Sequence, residues 1–77
     1  MNSNEIDIGN LILQQLKDEG RTLVWLAKQV GCDNSNLTKM LRNSRYINVD
    51  LLFRISIALR KDFFIHYSQK LKERDNW

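Results

Sequence analysis

Residues 26–41 decide the fold, and they read LAKQVGCDNSNLTKML. The apolar residues up to Gly31 recur at the i, i+3, i+4 and i+7 spacing of one helix face, namely Leu23, Leu26, Ala27 and Val30. Gly31 is typical of a residue that ends a helix, and Asp33 is a favoured N-cap. A second apolar face follows, made of Leu37, Met40 and Leu41. The stretch therefore predicts two short helices joined by three residues, a helix-turn-helix.

The second of these helices begins with the residues DNSN, which are mediocre helix formers because their side chains compete for backbone hydrogen bonds. A helical bundle does not need them for stability. The composition favours hydrogen bonding to something outside the protein.

The rest of the chain repeats the helical spacing, so an all-α fold without strands is expected, as a single domain over residues 1–77. Helices are predicted at about 7–18, 22–30, 33–42, 49–59 and 62–72, and residues 73–77 are expected to fray. Thr22, Asn48 and Asp62 are predicted to cap the second, fourth and fifth helices. Asn43 is expected in the left-handed conformation after the third.

Composition argues against several classes of protein. The sequence has no apolar run long enough to cross a membrane, and its acidic N-terminus is unlike a signal peptide. Cys32 is the only cysteine, so an internal disulfide is impossible and a cytoplasmic protein is expected. His66 is the only histidine and has no partner at metal-ligand spacing. Since no nucleophile has a nearby base, we expect neither an enzyme nor a metal or cofactor.

Positive charge is concentrated around the predicted helix-turn-helix. Residues 20–45 hold five basic residues and one acidic residue, whereas residues 1–19 carry a net charge of −3. Such a patch suits a polyanion. A solvated protein face is the other reading of the same charges.

Three segments together resemble the lambda repressor-like helix-turn-helix proteins, the XRE or Cro/repressor family. They are LVWLAKQVGCDNSNLTKML at 23–41, IGNLILQQLKDEGRT at 8–22 and VDLLFRISIALRKDFF at 49–64. The resemblance implies a compact five-helix DNA-binding domain with its helix-turn-helix at helices two and three. It further implies a bacterial or phage transcriptional repressor or regulator that reads double-stranded DNA with helix three in the major groove. The sequence departs from the family at Leu23, where glutamine is frequent.

Given this resemblance, the outward residues of helix three are the candidate base readers: Asn34, Ser35, Thr38 and Lys39. Asparagine can bond adenine, lysine can reach guanine, and a threonine methyl can contact thymine. Candidate phosphate contacts, which position the protein without reading sequence, are Thr22, Lys28, Arg42, Ser44 and Arg45. An ordinary wet helix face is the alternative for the whole group.

Helix four is apolar nearly all round, and Phe53 and Ile57 lie on a side away from its core face. They predict a possible dimer interface, and a homodimer would read an inverted repeat. Alternatively, helix five covers them.

Trp25 lies opposite the apolar stripe of helix two and is expected to pack on a neighbour, to lie on DNA or to contact a partner. A second function also stays open, a helical protein-protein interaction module such as an antitoxin or adaptor that retains the fold.

Overall fold

The computed structural model describes residues 6–74, and within that range the chain forms helices and no strand. The helices are α1 (Ile8–Asp18), α2 (Leu23–Val30), α3 (Asn34–Arg42), α4 (Val49–Leu59) and α5 (Ile65–Arg74). A short 3-10 helix, Ser44–Tyr46, lies between α3 and α4. The prediction of an all-α protein is confirmed for this part of the chain. None of its helices is long and apolar enough to cross a membrane.

The N-termini of the first four helices are fixed by side-chain caps. Thr22, Asp33 and Asn48 accept hydrogen bonds from backbone amides in the first turns of α2, α3 and α4, as the sequence predicts. Asp7 does the same for α1 by accepting from the Asn10 amide. Because each cap residue stands just outside its helix, α1, α2 and α3 begin one residue after the predicted positions.

Three helices end in the same way, with one residue in the left-handed conformation. Gly20 and Gly31 have φ of 67° and 72°, and the amides that follow them donate to the carbonyls of Leu16 and Ala27. This is the Schellman arrangement, which satisfies carbonyls that the helix leaves unpaired. At the end of α4 the position is held by Arg60, with φ of 52°, although a side chain is strained there.

The core lies where α1, α2, α3 and α4 meet, and Phe63 closes it from the chain that follows α4. Its largest fully buried members are Phe63, Ile8, Ile12, Leu26, Leu37, Leu41 and Ile55. Among the described residues, α3 packs against both α1 and α2, and α2 also packs against α4. These contacts leave one side of α3 facing outward.

The crossing of α1 and α3 depends on Gly9. A Cβ atom there would overlap the Leu41 carbonyl oxygen and would lie 2.8 Å from the Leu41 carbonyl carbon. The Gly9 amide also donates to the Ser44 hydroxyl at 2.9 Å, and that hydroxyl donates to the Asp7 carboxylate at 3.1 Å. The start of α1 is thus locked onto the end of α3 and the turn behind it.

Two local predictions are wrong. Asn43 is not left-handed: its φ of −131° and ψ of 100° are extended, because its side chain turns to accept the Arg45 amide and starts the 3-10 helix. The fifth helix begins at Ile65 rather than 62, since Asp62 bonds the Phe64 amide in a turn that buries Phe63.

The fifth helix also continues further than predicted. Residues 73 and 74 of the predicted frayed tail are helical, and residues 75–77 lie outside the described residues.

Candidate nucleic-acid interface

The outward side of α3 is a continuous polar surface. Leu37 and Leu41 are buried, so the opposite side of the helix carries Ser35, Lys39 and Arg42, all exposed. We call this surface, with the flanking residues Asn34, Asn36 and Thr38, the outer face of α3. Helical geometry places all six within about two and a half turns.

Three of the four predicted base readers present side chains without internal partners. No hydrogen bond within residues 6–74 occupies the side chains of Asn34, Ser35 or Lys39, and all three are exposed. Thr38 differs, because it is half-buried and its hydroxyl donates to the Asn34 carbonyl at 2.9 Å. Its methyl group is therefore the part of the side chain that suits an external contact.

Asp33 is oriented by the helix that it caps. Its carboxylate accepts the amides of Ser35 and Asn36 at 3.0 and 3.3 Å. The negative charge thus lies against the positive end of the α3 dipole, which compensates part of it. The same geometry occupies the amides at the start of α3, so an anion is not expected to bind there.

The start of α2 is different, because its cap is neutral. Thr22 is exposed, and its hydroxyl accepts the Trp25 amide at 3.0 Å. The amides of Leu23 and Val24 have no acceptor among the described residues. A helix start with free amides and no acidic cap attracts phosphate, so this position retains the predicted role of Thr22.

The predicted phosphate contacts fall into two groups. Lys28 and Arg42 are exposed and form no ion pair with any residue in the range 6–74. Arg45 is exposed on the 3-10 helix directly after α3. Ser44, by contrast, is half-buried, with its hydroxyl committed to Gly9 and to the Asp7 carboxylate. Its position fits a positioning residue better than a phosphate ligand.

Trp25 packs against the core and is half-buried. The Arg21 guanidinium lies over its ring at 4.1 Å from the centroid, and the same arginine pairs with Glu19 at 3.5 Å. A stacked cation of this kind holds the indole against the start of α2. Of the three roles considered for Trp25, the structure thus shows packing on its neighbours.

The outward side of α4 is apolar and uncovered. Phe53 and Ile57 are 56% and 61% exposed, and Val49, one step earlier on the same row, is 73% exposed. Helix α5 does not fold over this row, so the alternative in which it does is wrong. Sequence reasoning missed Val49, although its four-residue spacing to Phe53 is the signal that finds it.

The described side chains include no cluster of potential metal ligands. No three of the His, Cys, Asp and Glu side chains in residues 6–74 lie together as metal ligands do. His66 is half-buried beside the Phe63 ring, 6.5 Å between centroids. Cys32 is half-buried against the core in the turn between α2 and α3. The candidate site is the polar and basic surface around α3.

No family model matches the chain, and the comparisons with curated proteins and with solved structures also find no match.

Proposed function

We propose that the protein binds double-stranded DNA in a sequence-specific way, as a lambda repressor-like helix-turn-helix domain with α3 in the major groove. The observation that carries the proposal is the outer face of α3, where exposed amide, hydroxyl and ammonium groups have no partner within the described chain. A bacterial or phage regulator or repressor of transcription that acts in the cytoplasm is the role that fits such binding.

The chemistry of the outer face suits base edges. An asparagine amide both donates and accepts, and so pairs with adenine at two atoms, while lysine donates to the acceptors of guanine. Asn34 lies in the first turn of α3 and Lys39 in its second. The major groove admits a helix of this width, so residues from both turns could reach successive base pairs.

Basic and amide groups in the helix-turn-helix and the turn after it suit the DNA backbone. Arg42 is the last residue of the outer face, Arg45 follows it on the 3-10 helix, Lys28 lies on α2, and the free amides beside Thr22 open α2. Phosphate contacts of this sort fix the register of the protein on the duplex but do not select a sequence. In this proposal Ser44 acts indirectly, by holding the end of α3 against α1 through Gly9 and Asp7.

The experiment that tests the proposal begins with selection of bound duplexes from a random pool, which supplies a preferred sequence. Two matched variants are then titrated against that duplex and a scrambled one at several salt concentrations. They are Lys39→Ala on the outer face of α3 and Lys28→Ala on α2. Both remove one exposed lysine without an internal ion pair, so they have the same formal charge.

Lys39→Ala is expected to weaken binding to the preferred duplex by roughly 1–3 kcal/mol and to relax preference at one position. Lys28→Ala should weaken binding to both duplexes alike and reduce the slope of log affinity against log salt by about 1. Identical profiles for the two variants would show that the outer face of α3 does not read bases. If no duplex binds above the non-specific level, DNA recognition is wrong, and the protein-interaction alternative becomes the better hypothesis.

A further inference from the structure

The negative charge of Asp33 is the feature of the helix-turn-helix that DNA binding leaves unexplained. Asp33 is the only acidic residue in the range 20–45, where five basic residues make the surface suit a polyanion. Its side chain is exposed, and it stands directly before α3. Asparagine or serine would cap the helix about as well and would carry no charge. The need for a cap therefore does not explain why a carboxylate occupies this position.

The cap uses only one of the two carboxylate oxygens. The Oδ2 atom of Asp33 accepts the amides of Ser35 and Asn36, at 3.0 and 3.3 Å. The Oδ1 atom accepts no hydrogen bond from any residue in the range 6–74. Because two amides hold Oδ2, the whole carboxylate is held with it. Asp33 thus presents Oδ1 as an exposed acceptor at a fixed place beside the first turn of α3.

A fixed acceptor at this place discriminates between bases. The N-terminal residues of a recognition helix are those that contact base edges in the major groove, and Asp33 directly precedes them. An ionised carboxylate only accepts hydrogen bonds. It can therefore bond the exocyclic amino groups of cytosine and adenine, whereas the acceptors of guanine and thymine repel it. The amino group of adenine lies beside a ring nitrogen that is also an acceptor, but that of cytosine lies beside a carbon–hydrogen bond. Cytosine is consequently the better partner.

From the held carboxylate and its free oxygen, we propose that Asp33 is a specificity-determining residue that selects cytosine, by accepting a hydrogen bond from its exocyclic amino group through Oδ1. This role rests on the proposed function. Asp33 also acts against other sequences, because its charge then faces acceptors without compensation. The two helix starts accordingly have different partners: the neutral start of α2 suits a phosphate, and the acidic start of α3 suits a base edge.

The first test repeats the selection from a random duplex pool with the wild type and two variants. Asp33→Ser removes the charge and keeps a favoured cap. The matched control is Asp62→Ser, because Asp62 is also exposed and accepts a backbone amide, that of Phe64, away from α3. The wild type and the control are expected to select cytosine at the same position. Asp33→Ser should lose about tenfold of that preference and keep the helicity of the wild type by circular dichroism.

The affinity for a scrambled duplex separates this role from that of a cap alone. Asp33→Ser should bind the preferred duplex more weakly, but it should bind the scrambled duplex roughly twofold more tightly at low salt, since a charge that repels phosphate is gone. A residue that only caps α3 would weaken binding to both duplexes when replaced. Asp33→Asn keeps the capping oxygen and presents a donor in place of Oδ1. Its preference should therefore move from cytosine to guanine or thymine, whose groove edges carry acceptors.

The second test changes the DNA instead of the protein. Cytosine with one methyl group on its exocyclic amino group still pairs with guanine, but the methyl replaces the hydrogen that faces the major groove. In place of the selected cytosine, it should weaken binding of the wild type by about tenfold and leave Asp33→Ser unaffected. Equal losses for the two proteins, no loss for the wild type, or selection of adenine would overturn the proposal. Sequence-specific binding without any dependence on this cytosine would refute the role of Asp33 alone. Absence of binding to every duplex would refute the proposed function as well.

Discussion

Replacing Gly9 by alanine tests the close approach of α1 and α3, which holds the proposed reading helix in place. The added Cβ would overlap the carbonyl oxygen of Leu41 and would stand 2.8 and 3.2 Å from its carbonyl carbon and Cα. These are backbone atoms, so no rotamer change relieves the overlap and the two helices must move apart. Separating α1 from α3 also stretches the 2.9 Å hydrogen bond from the Gly9 amide to the Ser44 hydroxyl.

Two opposing terms set the magnitude of this effect. Overpacking in a core typically costs about 1–3 kcal/mol, and the upper part of that range applies to an overlap with backbone. Alanine gains up to about 1 kcal/mol over glycine in a helix interior. We therefore expect Gly9→Ala to lower the free energy of unfolding by about 1–2 kcal/mol. For a domain of this size that lowers Tm by roughly 4–16 °C.

The assay is thermal and urea denaturation followed by circular dichroism, with Asn10→Ala as the matched control. Asn10 is the next residue of α1 and is exposed, so its replacement should leave stability unchanged or raise it slightly. A Gly9→Ala variant at least as stable as the wild type would refute the reasoning, because it would show that α1 and α3 do not approach at this residue.

Three further predictions use the same denaturation measurements. Ala27→Leu should lower stability by about 1–3 kcal/mol, because Ala27 is buried in α2, which packs on α3; an unchanged Tm would argue against close packing there. Gly31→Ala should lower the free energy of unfolding by about 1 kcal/mol through backbone conformation alone, since no atom beyond its chain neighbours lies within 4 Å of the added Cβ. Arg60→Gly, at another left-handed position, should leave the free energy of unfolding unchanged or raise it by up to about 1 kcal/mol. A destabilising Arg60→Gly would contradict this. Burial raises the pKa of the Tyr67 phenol, so the unfolded state loses this proton first and stability should fall as pH rises above 10. The stability of Tyr67→Phe should fall less over the same pH range. Identical alkaline stability profiles for the variant and the wild type would exclude the effect.

The helices were predictable because their signals are local. The spacing of Leu23, Leu26 and Val30 requires only the helical period, and Thr22, Asp33 and Asn48 act on amides two or three residues away. The bounds of the first four helices could accordingly be read to within one residue. The predicted start of the fifth helix is wrong at Asp62, because burial of the next side chain, Phe63, places a turn before the helix.

Contacts between distant segments could not be read in the same way. The Gly9 amide meets the hydroxyl of Ser44, 35 residues later, and nothing in either local sequence specifies the pairing. A glycine in the first turn of a helix is the one hint, because a residue without Cβ lets another part of the backbone approach closely. The local sequence around Ser44 therefore predicts a loop hydroxyl available to phosphate, although the fold commits this hydroxyl to α1. The exposure of Phe53 likewise depends on where α5 goes.

Hydrogen bonds inside the protein explain only part of the polar start of α3. Asp33 caps the helix, and Thr38 bonds the Asn34 carbonyl, so both have internal partners. The side chains of Asn34, Ser35 and Asn36 have none within residues 6–74. Each is less favourable in a helix than alanine, by about half a kcal/mol. Folding alone does not account for three such residues in succession, whereas hydrogen bonding to an external partner does. The polar start of α3 thus supports the proposed recognition role of this helix independently of the net charge, and its side chains suit base edges better than an apolar protein surface.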